Sequence, residues 1–189
     1  MSAKRVPAAI ISLLMFAGFA RGAGEAAPRG DAAIPAPPAF VILVRHAEKA
    51  EAPPDDPPLT EAGRARARAL SIALRDAGVT AIVTSDALRT RETAGPIADA
   101  LRIAPRAVGL GSGGIEAHVA AVAAEVRRHP GEVVLVVGHS DTIPDLIRSL
   151  GGERLPRVHG VEFDDLFVLV PGADGARLIR SRYGPPVTR

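Results

Sequence analysis

The chain of 189 residues contains no cysteine and no tryptophan. Without cysteine it can form no disulfide, use no thiolate nucleophile and carry no lipid on a cysteine. Beyond the first two dozen residues its only aromatic side chains are Phe40, Phe163, Phe167 and Tyr183. These are too few for the stacking platforms of proteins that bind single-stranded nucleic acid. We therefore expect no nucleic-acid partner.

The sequence also lacks the common motifs for metals and for nucleotide phosphates. No His-Glu-x-x-His or comparable ligand spacing occurs, so neither a metal ion nor another cofactor is expected. The glycine-rich stretch 109–114 lacks the Gly-Lys-Ser/Thr ending of a P-loop. We expect this stretch to be a flexible linker.

The first two dozen residues show the pattern of a secretory signal peptide. Lys4 and Arg5 precede an apolar stretch from Ala8 to Phe19, and small residues follow at 20–27. The apolar stretch is shorter than the roughly 20 residues that cross a bilayer, which favours a cleaved signal over a retained membrane anchor. Residues 1–23 are predicted to be removed, leaving a periplasmic or secreted protein without stable membrane insertion.

Cleavage near residue 20 would also change the charge balance. The formal net charge is +2, and losing Lys4 and Arg5 would bring it to about 0. The basic balance of the full sequence therefore does not indicate a polyanionic partner.

A single α/β domain is predicted over residues 39–189, after a linker at 24–38 that is rich in Ala, Gly and Pro. Apolar, β-branched segments alternate with amphipathic ones, which predicts right-handed crossovers and a mostly parallel sheet. The expected fold is a three-layer sandwich with helices on both faces of this sheet. Strands are predicted at 39–44, 81–84, near 108, 133–137, 167–170 and 177–181. Four helices are predicted: the first begins at 60, the second follows the second strand and ends at about 101, the third covers 115–128, and the fourth begins after 142.

The first predicted helix begins at Thr60, a good N-cap residue, and Gly78 follows its end. Its apolar face comprises Leu70, Ala73, Leu74 and Ala77. Its arginines, which we expect mostly to face water, are Arg64, Arg66, Arg68 and Arg75.

Basic side chains follow three of the predicted strands. Arg45 and His46 end the first, Arg89 lies in the loop region after the second, and His139 follows the apolar run 133–137. Ligands bind at the carboxyl ends of such strands, so we expect these four side chains to form one cationic pocket. Guanidinium groups match phosphate oxygens, and an imidazole can attack phosphorus and carry the group as phosphohistidine. His46 is the predicted nucleophile, and the other three would stabilise the equatorial oxygens.

Three segments of the sequence carry a further signal. They read Arg45-His46-Ala47, Leu59-Thr60-Glu61-Ala62-Gly63 and Ser85 through Ala94. Together with His139, this series resembles the histidine phosphatase superfamily, also called phosphoglycerate mutase-like, over about residues 40–184. The departures are Ala47 where the family has Gly and Glu92 where it has Gln. The resemblance implies that Arg45, His46, Arg89 and His139 contact a phosphoryl group.

Two carboxylates compete for the general acid that protonates the leaving oxygen. Glu116 lies 27 residues beyond Arg89, about where mutase-like members of the family keep their acid; alternatively it interacts with a helix dipole. Asp141 follows His139 by two residues and is similar to the His-Asp pair of the acid-phosphatase branch, although Ser140 is inserted. Alternatively, Asp141 caps the following helix.

The remaining candidates are weaker. His118, His129 and His159 do not follow predicted strands, so we expect them on the surface and not among the ligands. Glu48 and Lys49 either meet the substrate or cap the turn after the first strand.

The sequence thus predicts a metal-independent phosphomonoester hydrolase that acts through a phosphohistidine on His46. Expected substrates are phosphorylated small molecules, or phosphorylated surface glycans or proteins. One alternative is a phosphate-binding domain without catalysis. A less favoured alternative is a serine hydrolase that uses Ser140, although Thr142 stands where the nucleophile elbow has its second glycine.

Overall fold

The computed structural model describes residues 36–156 and 162–186. The predicted signal peptide, the linker up to residue 35 and His159 lie outside the described residues. Within the described ranges, no helix is long and apolar enough to cross a membrane.

Every segment predicted as a strand or helix forms that element. In chain order they are β1 (Phe40–Arg45), α1 (Glu61–Leu74), β2 (Val79–Ser85), α2 (Leu88–Leu101), β3 (Arg106–Val108), α3 (Gly114–Val126), β4 (Val133–Gly138), α4 (Ile143–Ser149), β5 (Asp165–Gly172) and β6 (Gly175–Arg182).

The strands form one sheet in the order β3-β2-β4-β1-β5-β6. The first four strands of this order run parallel, whereas β5 pairs antiparallel with both β1 and β6. The predicted mostly parallel sheet is therefore confirmed, with an antiparallel hairpin at one edge. In the register, Arg45 is opposite Gly138 and Thr84 is opposite Val137. The carboxyl ends of β1, β2 and β4 consequently lie side by side.

Side chains of β1 alternate between two cores. Val41 and Leu43 pack with residues of α3 and α4, whereas Ile42 and Val44 pack with residues of α1 and α2. A strand buried on both faces has no polar face, which explains its continuous apolar sequence. The two helix pairs on opposite faces make the predicted three-layer sandwich.

Helix α1 begins as predicted, because the Thr60 hydroxyl accepts a hydrogen bond from the Gly63 amide at 3.0 Å. A Cβ atom on Gly63 would overlap the backbone oxygen of Glu48, so only glycine fits there. The expectation that the helix arginines face water is wrong for Arg66, which is 4% exposed. The predicted apolar face is also narrower than expected, since Ala73 and Ala77 are exposed.

Candidate active site

His46 lies directly after β1 and is 4% exposed. Its backbone amide donates to the oxygen of Gly138 at 2.9 Å, which extends the β1–β4 pairing by one residue. Its ring Nδ1 lies 2.8 Å from the carbonyl oxygen of Ala47. A carbonyl can only accept, so Nδ1 carries the hydrogen and the unshared electron pair is on Nε2. The ring is thereby held as a nucleophile that attacks through Nε2.

The protonation state of His46 follows from its surroundings. Burial lowers the pKa of His46 from 6.5 to about 3; the hydrogen bond to Ala47 opposes this, and the positive charge of Arg45 reinforces it. The imidazole is therefore neutral at neutral pH. A neutral ring with a fixed lone pair is the form that can attack phosphorus.

The four side chains predicted to form a cationic pocket lie together. The rings of His46 and His139 have centroids 5.4 Å apart in an edge-on arrangement. Nη2 of Arg89 lies 3.4 Å from Nδ1 of His139. Burial lowers the pKa of His139 to about 4, and the charges of Arg89 and Arg45 contribute to that shift. Two neutral imidazoles and two guanidiniums thus share one end of the sheet.

Phe163 forms an aromatic side of this cluster. Cζ of Arg45 lies 4.1 Å from the centroid of the Phe163 ring, and the His46 ring lies 6.1 Å from it. The first distance is that of a cation–π contact, which orients the guanidinium. Sequence reasoning missed this role, because a single aromatic residue before β5 carries no periodic or motif signal.

The start of α2 positions Arg89. Its N-cap residue, Ala87, has no side chain that can cap, and a carboxylate oxygen of Asp56 instead accepts from the Leu88 amide at 2.8 Å. The same oxygen lies 3.9 Å from Nη1 of Arg89. Asp56 comes from the proline-rich loop after β1 and was not predicted as a site residue. It combines a helix cap with a counter-charge for Arg89.

A second contact joins α2 to the end of β1. The Thr93 hydroxyl donates to the Arg89 carbonyl at 2.7 Å and accepts from the Ala47 amide at 2.9 Å. Nε of Arg89 is buried and has no hydrogen-bond partner in the part of the chain that the structure describes. Arg89 therefore keeps a buried donor that an anionic oxygen can satisfy.

Glu48 binds a side chain of α1. Its carboxylate accepts from Nε and Nη2 of Arg66 at 2.8 to 3.0 Å, while Nη1 of Arg66 donates to the carbonyls of Tyr183 and Pro185 at 3.3 and 3.0 Å. Of the two hypotheses for Glu48, these contacts favour the structural one. They tie the loop after β1 to α1 and to the residues after β6.

Glu92, a departure from the family pattern, has a clear structural role. Its Oε2 accepts a hydrogen bond from the Leu59 amide at 2.6 Å. An acceptor oxygen is all that this contact needs, and a glutamine would also supply one. Lys49 pairs with Leu59 through an isolated β-bridge. The loop between β1 and α1 is therefore held from α2 as well.

The two acid candidates lie in different surroundings. Glu116 is exposed in the first turn of α3 and lines a cavity of about 480 Å³ with Asp145 and Arg148. Asp141 is half-buried, and its negative charge acts to raise the pKa of both Arg45 and His139. Of the two acid candidates, Asp141 is the one whose charge contributes to the pKa values of both Arg45 and His139.

Residue Thr142, not Asp141, occupies the N-cap position of α4, so the hypothesis that Asp141 is the cap is wrong. The Thr142 hydroxyl accepts from the His139 amide at 3.0 Å. This bond fixes the turn that carries His139. Asp141, which lies within this turn, is left without a capping role.

The other histidines differ from expectation in one case. His118 is 2% exposed, and its Nδ1 lies 3.2 Å from the Gly109 oxygen, so the prediction of a surface residue is wrong. This contact anchors the glycine-rich stretch to α3. His129 is half-buried between Glu125 and Glu132.

Within residues 36–156 and 162–186, Ser140 makes no hydrogen bond to a histidine, and nothing there supports a serine hydrolase.

Comparisons with known proteins concern the family and the fold. The family model of the histidine phosphatase superfamily (branch 1) matches residues 41–108. A search among curated proteins found no match. Among solved structures, the chain is similar to a protein from Agrobacterium tumefaciens that carries the name phosphohistidine phosphatase SixA. The two are 26% identical with a TM-score of 0.56, over 79% of this chain and 99% of that one.

Two further structures resemble the chain at lower identity. One is the protein histidine phosphatase SixA complexed with tungstate, with 20% identity and a TM-score of 0.60 over 76% of this chain and 96% of that one. The other is the mycobacterial glucosyl-3-phosphoglycerate phosphatase Rv2419c with inorganic phosphate, with 19% identity and a TM-score of 0.52 over 75% and 95%. At these identities the likeness shows a shared fold.

Proposed function

Because the chain belongs to the histidine phosphatase superfamily, we propose that it is a phosphomonoester hydrolase that works through a phosphohistidine on His46. The observation that carries this proposal is the fixed ring of His46. Its Nδ1 is held by the Ala47 carbonyl, which leaves the Nε2 electron pair beside two guanidiniums and a second imidazole.

In the first step, the Nε2 electron pair of His46 forms a bond to phosphorus while the bond from phosphorus to the leaving oxygen breaks. The leaving oxygen takes up a proton and departs as an alcohol. The hydrogen stays on Nδ1 and is donated to the Ala47 carbonyl oxygen, and this hydrogen bond stabilises the positive charge that develops on the ring. Arg45 and Arg89 bind the equatorial oxygens, whose charge is the main electrostatic demand of phosphoryl transfer.

In the second step, a water oxygen bonds to phosphorus as the bond to Nε2 breaks, and the proton that this water loses returns to the carboxylate that protonated the leaving oxygen. The products are inorganic phosphate and neutral His46, so one water is consumed for each alcohol and phosphate released. No step needs a metal, because the guanidiniums supply the positive charge. The buried Nε of Arg89 supports this role, since a phosphoryl oxygen would give it the acceptor it lacks among the described residues.

Asp141 is the proposed proton donor for the leaving oxygen. Its charge acts on the pKa values of Arg45 and His139, whereas Glu116 is exposed in the first turn of α3. The two are separated by the pH dependence of Asp141→Asn and Glu116→Gln. Only the variant of the true donor should lose the alkaline limb of kcat/KM. Loss of that limb in Glu116→Gln alone would transfer the role to Glu116.

The substrate and location proposed follow from less specific signals. We propose a periplasmic or secreted enzyme, because residues 1–23 have the pattern of a signal peptide. Its substrates would then be phosphorylated small molecules, or phosphorylated surface glycans or proteins. The similar structures are named for phosphohistidine and for a sugar phosphoglycerate. A substrate panel should therefore include phosphohistidine peptides alongside sugar phosphates.

The decisive experiment uses the purified protein with a chelator and small phosphomonoesters. Release of inorganic phosphate and an acid-labile phosphate on the protein are expected, and both should vanish in His46→Ala. His129→Ala is the matched control, since this half-buried histidine lies between two glutamates away from the cluster. Hydrolysis by His46→Ala at the wild-type rate would refute the mechanism. Phosphate binding without turnover in the wild type would instead favour the non-catalytic alternative.

A further inference from the structure

A buried row of hydroxyl groups lies behind His139, on the side away from Arg89. Nε2 of His139 lies 2.9 Å from the Ser85 hydroxyl, which lies 2.9 Å from the Thr90 hydroxyl. Thr90 in turn donates to the carbonyl oxygen of Ala87 at 2.7 Å. Ser85 is 4% exposed and Thr90 is 0% exposed. The mechanism above assigns no role to either hydroxyl.

One direction of these hydrogen bonds satisfies every member of the row. The Thr90 hydroxyl is closest to the Ala87 carbonyl, at 2.7 Å, and a carbonyl can only accept, so the Thr90 hydrogen is assigned to that contact. The Thr90 oxygen then accepts from Ser85, and the Ser85 oxygen accepts from His139. In this arrangement Nε2 of His139 carries a hydrogen.

The other ring nitrogen faces the phosphoryl pocket. Nη2 of Arg89 can only donate, so in the neutral ring it donates to Nδ1 of His139 at 3.4 Å. Nδ1 therefore holds the unshared electron pair on the side of Arg89 and His46. This is the opposite tautomer to that of His46, whose hydrogen is on Nδ1.

We propose that Ser85 and Thr90 are positioning residues that hold His139 with its hydrogen on Nε2, so that Nδ1 can take up a proton when a phosphoryl group is bound. This inference rests on the proposed function. A phosphomonoester monoanion carries one proton, whose pKa is about 6. Moving this proton from the phosphoryl oxygen to Nδ1 turns His139 into an imidazolium and the phosphoryl group into its dianion, with no change in total charge.

The same hydrogen bond to Ser85 serves both states of His139. Nε2 donates to Ser85 in the neutral ring and in the imidazolium, and a hydrogen bond from a charged donor is the stronger of the two. Ser85 should therefore raise the pKa of His139 in the complex. The charged and titratable groups that face His139 are Arg45 and His46 at the end of β1, Arg89 on α2, His118 on α3 and Asp141 on its own loop.

The chain offers a matched set of variants. Ser85→Ala and Thr90→Val remove the two hydroxyls, and Thr90→Ser keeps the second. Thr84→Val is the control, because Thr84 precedes Ser85 on β2, is 1% exposed, and has a hydroxyl without a hydrogen-bond partner in the described part of the chain. We expect kcat to fall by about 10- to 100-fold in Ser85→Ala, with a smaller change in KM, since hydrogen bonds to charged groups contribute on this scale.

Nitrogen NMR of labelled histidine gives the readout that a general loss of packing would not change. Without phosphate, wild type and Thr84→Val should show His139 with a hydrogen on Nε2 alone. When inorganic phosphate is added, both proteins should show a second hydrogen on Nδ1. Ser85→Ala and Thr90→Val should show a mixture of tautomers, weaker protonation with phosphate and an alkaline limb of kcat at lower pH. Thr90→Ser should restore the wild-type behaviour.

The outcomes separate this inference from the proposed function. If Ser85→Ala keeps the wild-type tautomer and kcat, the inference is wrong, whatever His46→Ala does. If the wild type hydrolyses no phosphomonoester, the proposed function fails, while the NMR comparison still decides whether Ser85 sets the tautomer. Should Ser85→Ala not fold, the contrast between Thr90→Val and Thr90→Ser decides in its place.

Discussion

Acid should destabilise this protein through the burial of His46. In the folded state the pKa of His46 is about 3, whereas in an unfolded chain it is about 6.5. As the pH falls through the unfolded value, the unfolded state binds a proton that the folded state does not. Stability therefore decreases from about pH 6.5 downward and levels off below the folded pKa. At about pH 4.5 the cost is about 3 kcal/mol, and at about pH 8 it is about zero.

His46→Asn tests this cost directly. The asparagine amide can still donate to the Ala47 carbonyl, but it does not titrate. Free energies of unfolding from urea titrations at about pH 8 and pH 4.5 would be compared between wild type and variant. The wild type should lose about 3 kcal/mol more than the variant between these two conditions. Subtracting the loss of the variant from that of the wild type removes the contribution of the carboxylates to the pH dependence of stability, because both proteins contain the same carboxylates.

A control and a refuting result complete the test. The control is His129→Asn, which replaces a half-buried histidine away from the cluster and leaves His46 in place, so the loss that His46 causes on acidification should persist. Equal losses in wild type and His46→Asn would mean that folded His46 accepts a proton at about pH 4.5. The argument that burial keeps its ring neutral would then be wrong.

Four further substitutions test the residues that support the site, and thermal or urea denaturation measures the change in stability for each. Gly63→Ala should cost about 1 to 3 kcal/mol, because its Cβ overlaps the Glu48 oxygen. Gly95→Ala, which meets no atom within 4 Å, should instead stabilise α2 by about 0.5 to 1 kcal/mol. Arg66→Met should cost about 3 to 5 kcal/mol by leaving the Glu48 carboxylate uncompensated, and adding Glu48→Gln should recover part of that loss. Asp56→Ala should cost about 1 kcal/mol through the lost helix cap and lower kcat/KM; unchanged activity would remove its assigned role beside Arg89.

The positions of Arg45, His46 and His139 could be predicted because each ends or directly follows a strand buried on both faces. Such strands are visible as unbroken apolar runs, and the parallel order of α/β folds brings their carboxyl ends together. The placement of the pocket therefore needed only local patterns and one topological rule.

The surroundings of Arg66 and His118 could not be predicted in this way. Arg66 occupies a helical position that resembles those of its exposed neighbours, and its burial depends on Glu48 and on backbone carbonyls more than a hundred residues later. His118 is buried by a contact with the loop before its own helix. Periodicity reports which face of a helix is apolar, but not which polar side chain another segment will cover.

The first two turns of α2 hold the active site from several sides at once. Arg89, Thr90, Glu92 and Thr93 each contact a different partner in or around it. Pro96 lies in the next turn and has no amide hydrogen to continue the helical bonding. This half of the helix should therefore open as one unit, and a single opening would release all four contacts together. On heating, activity should be lost at the same temperature at which the amides at the start of α2 begin to exchange. The amides of the sheet should still be protected from exchange at that temperature.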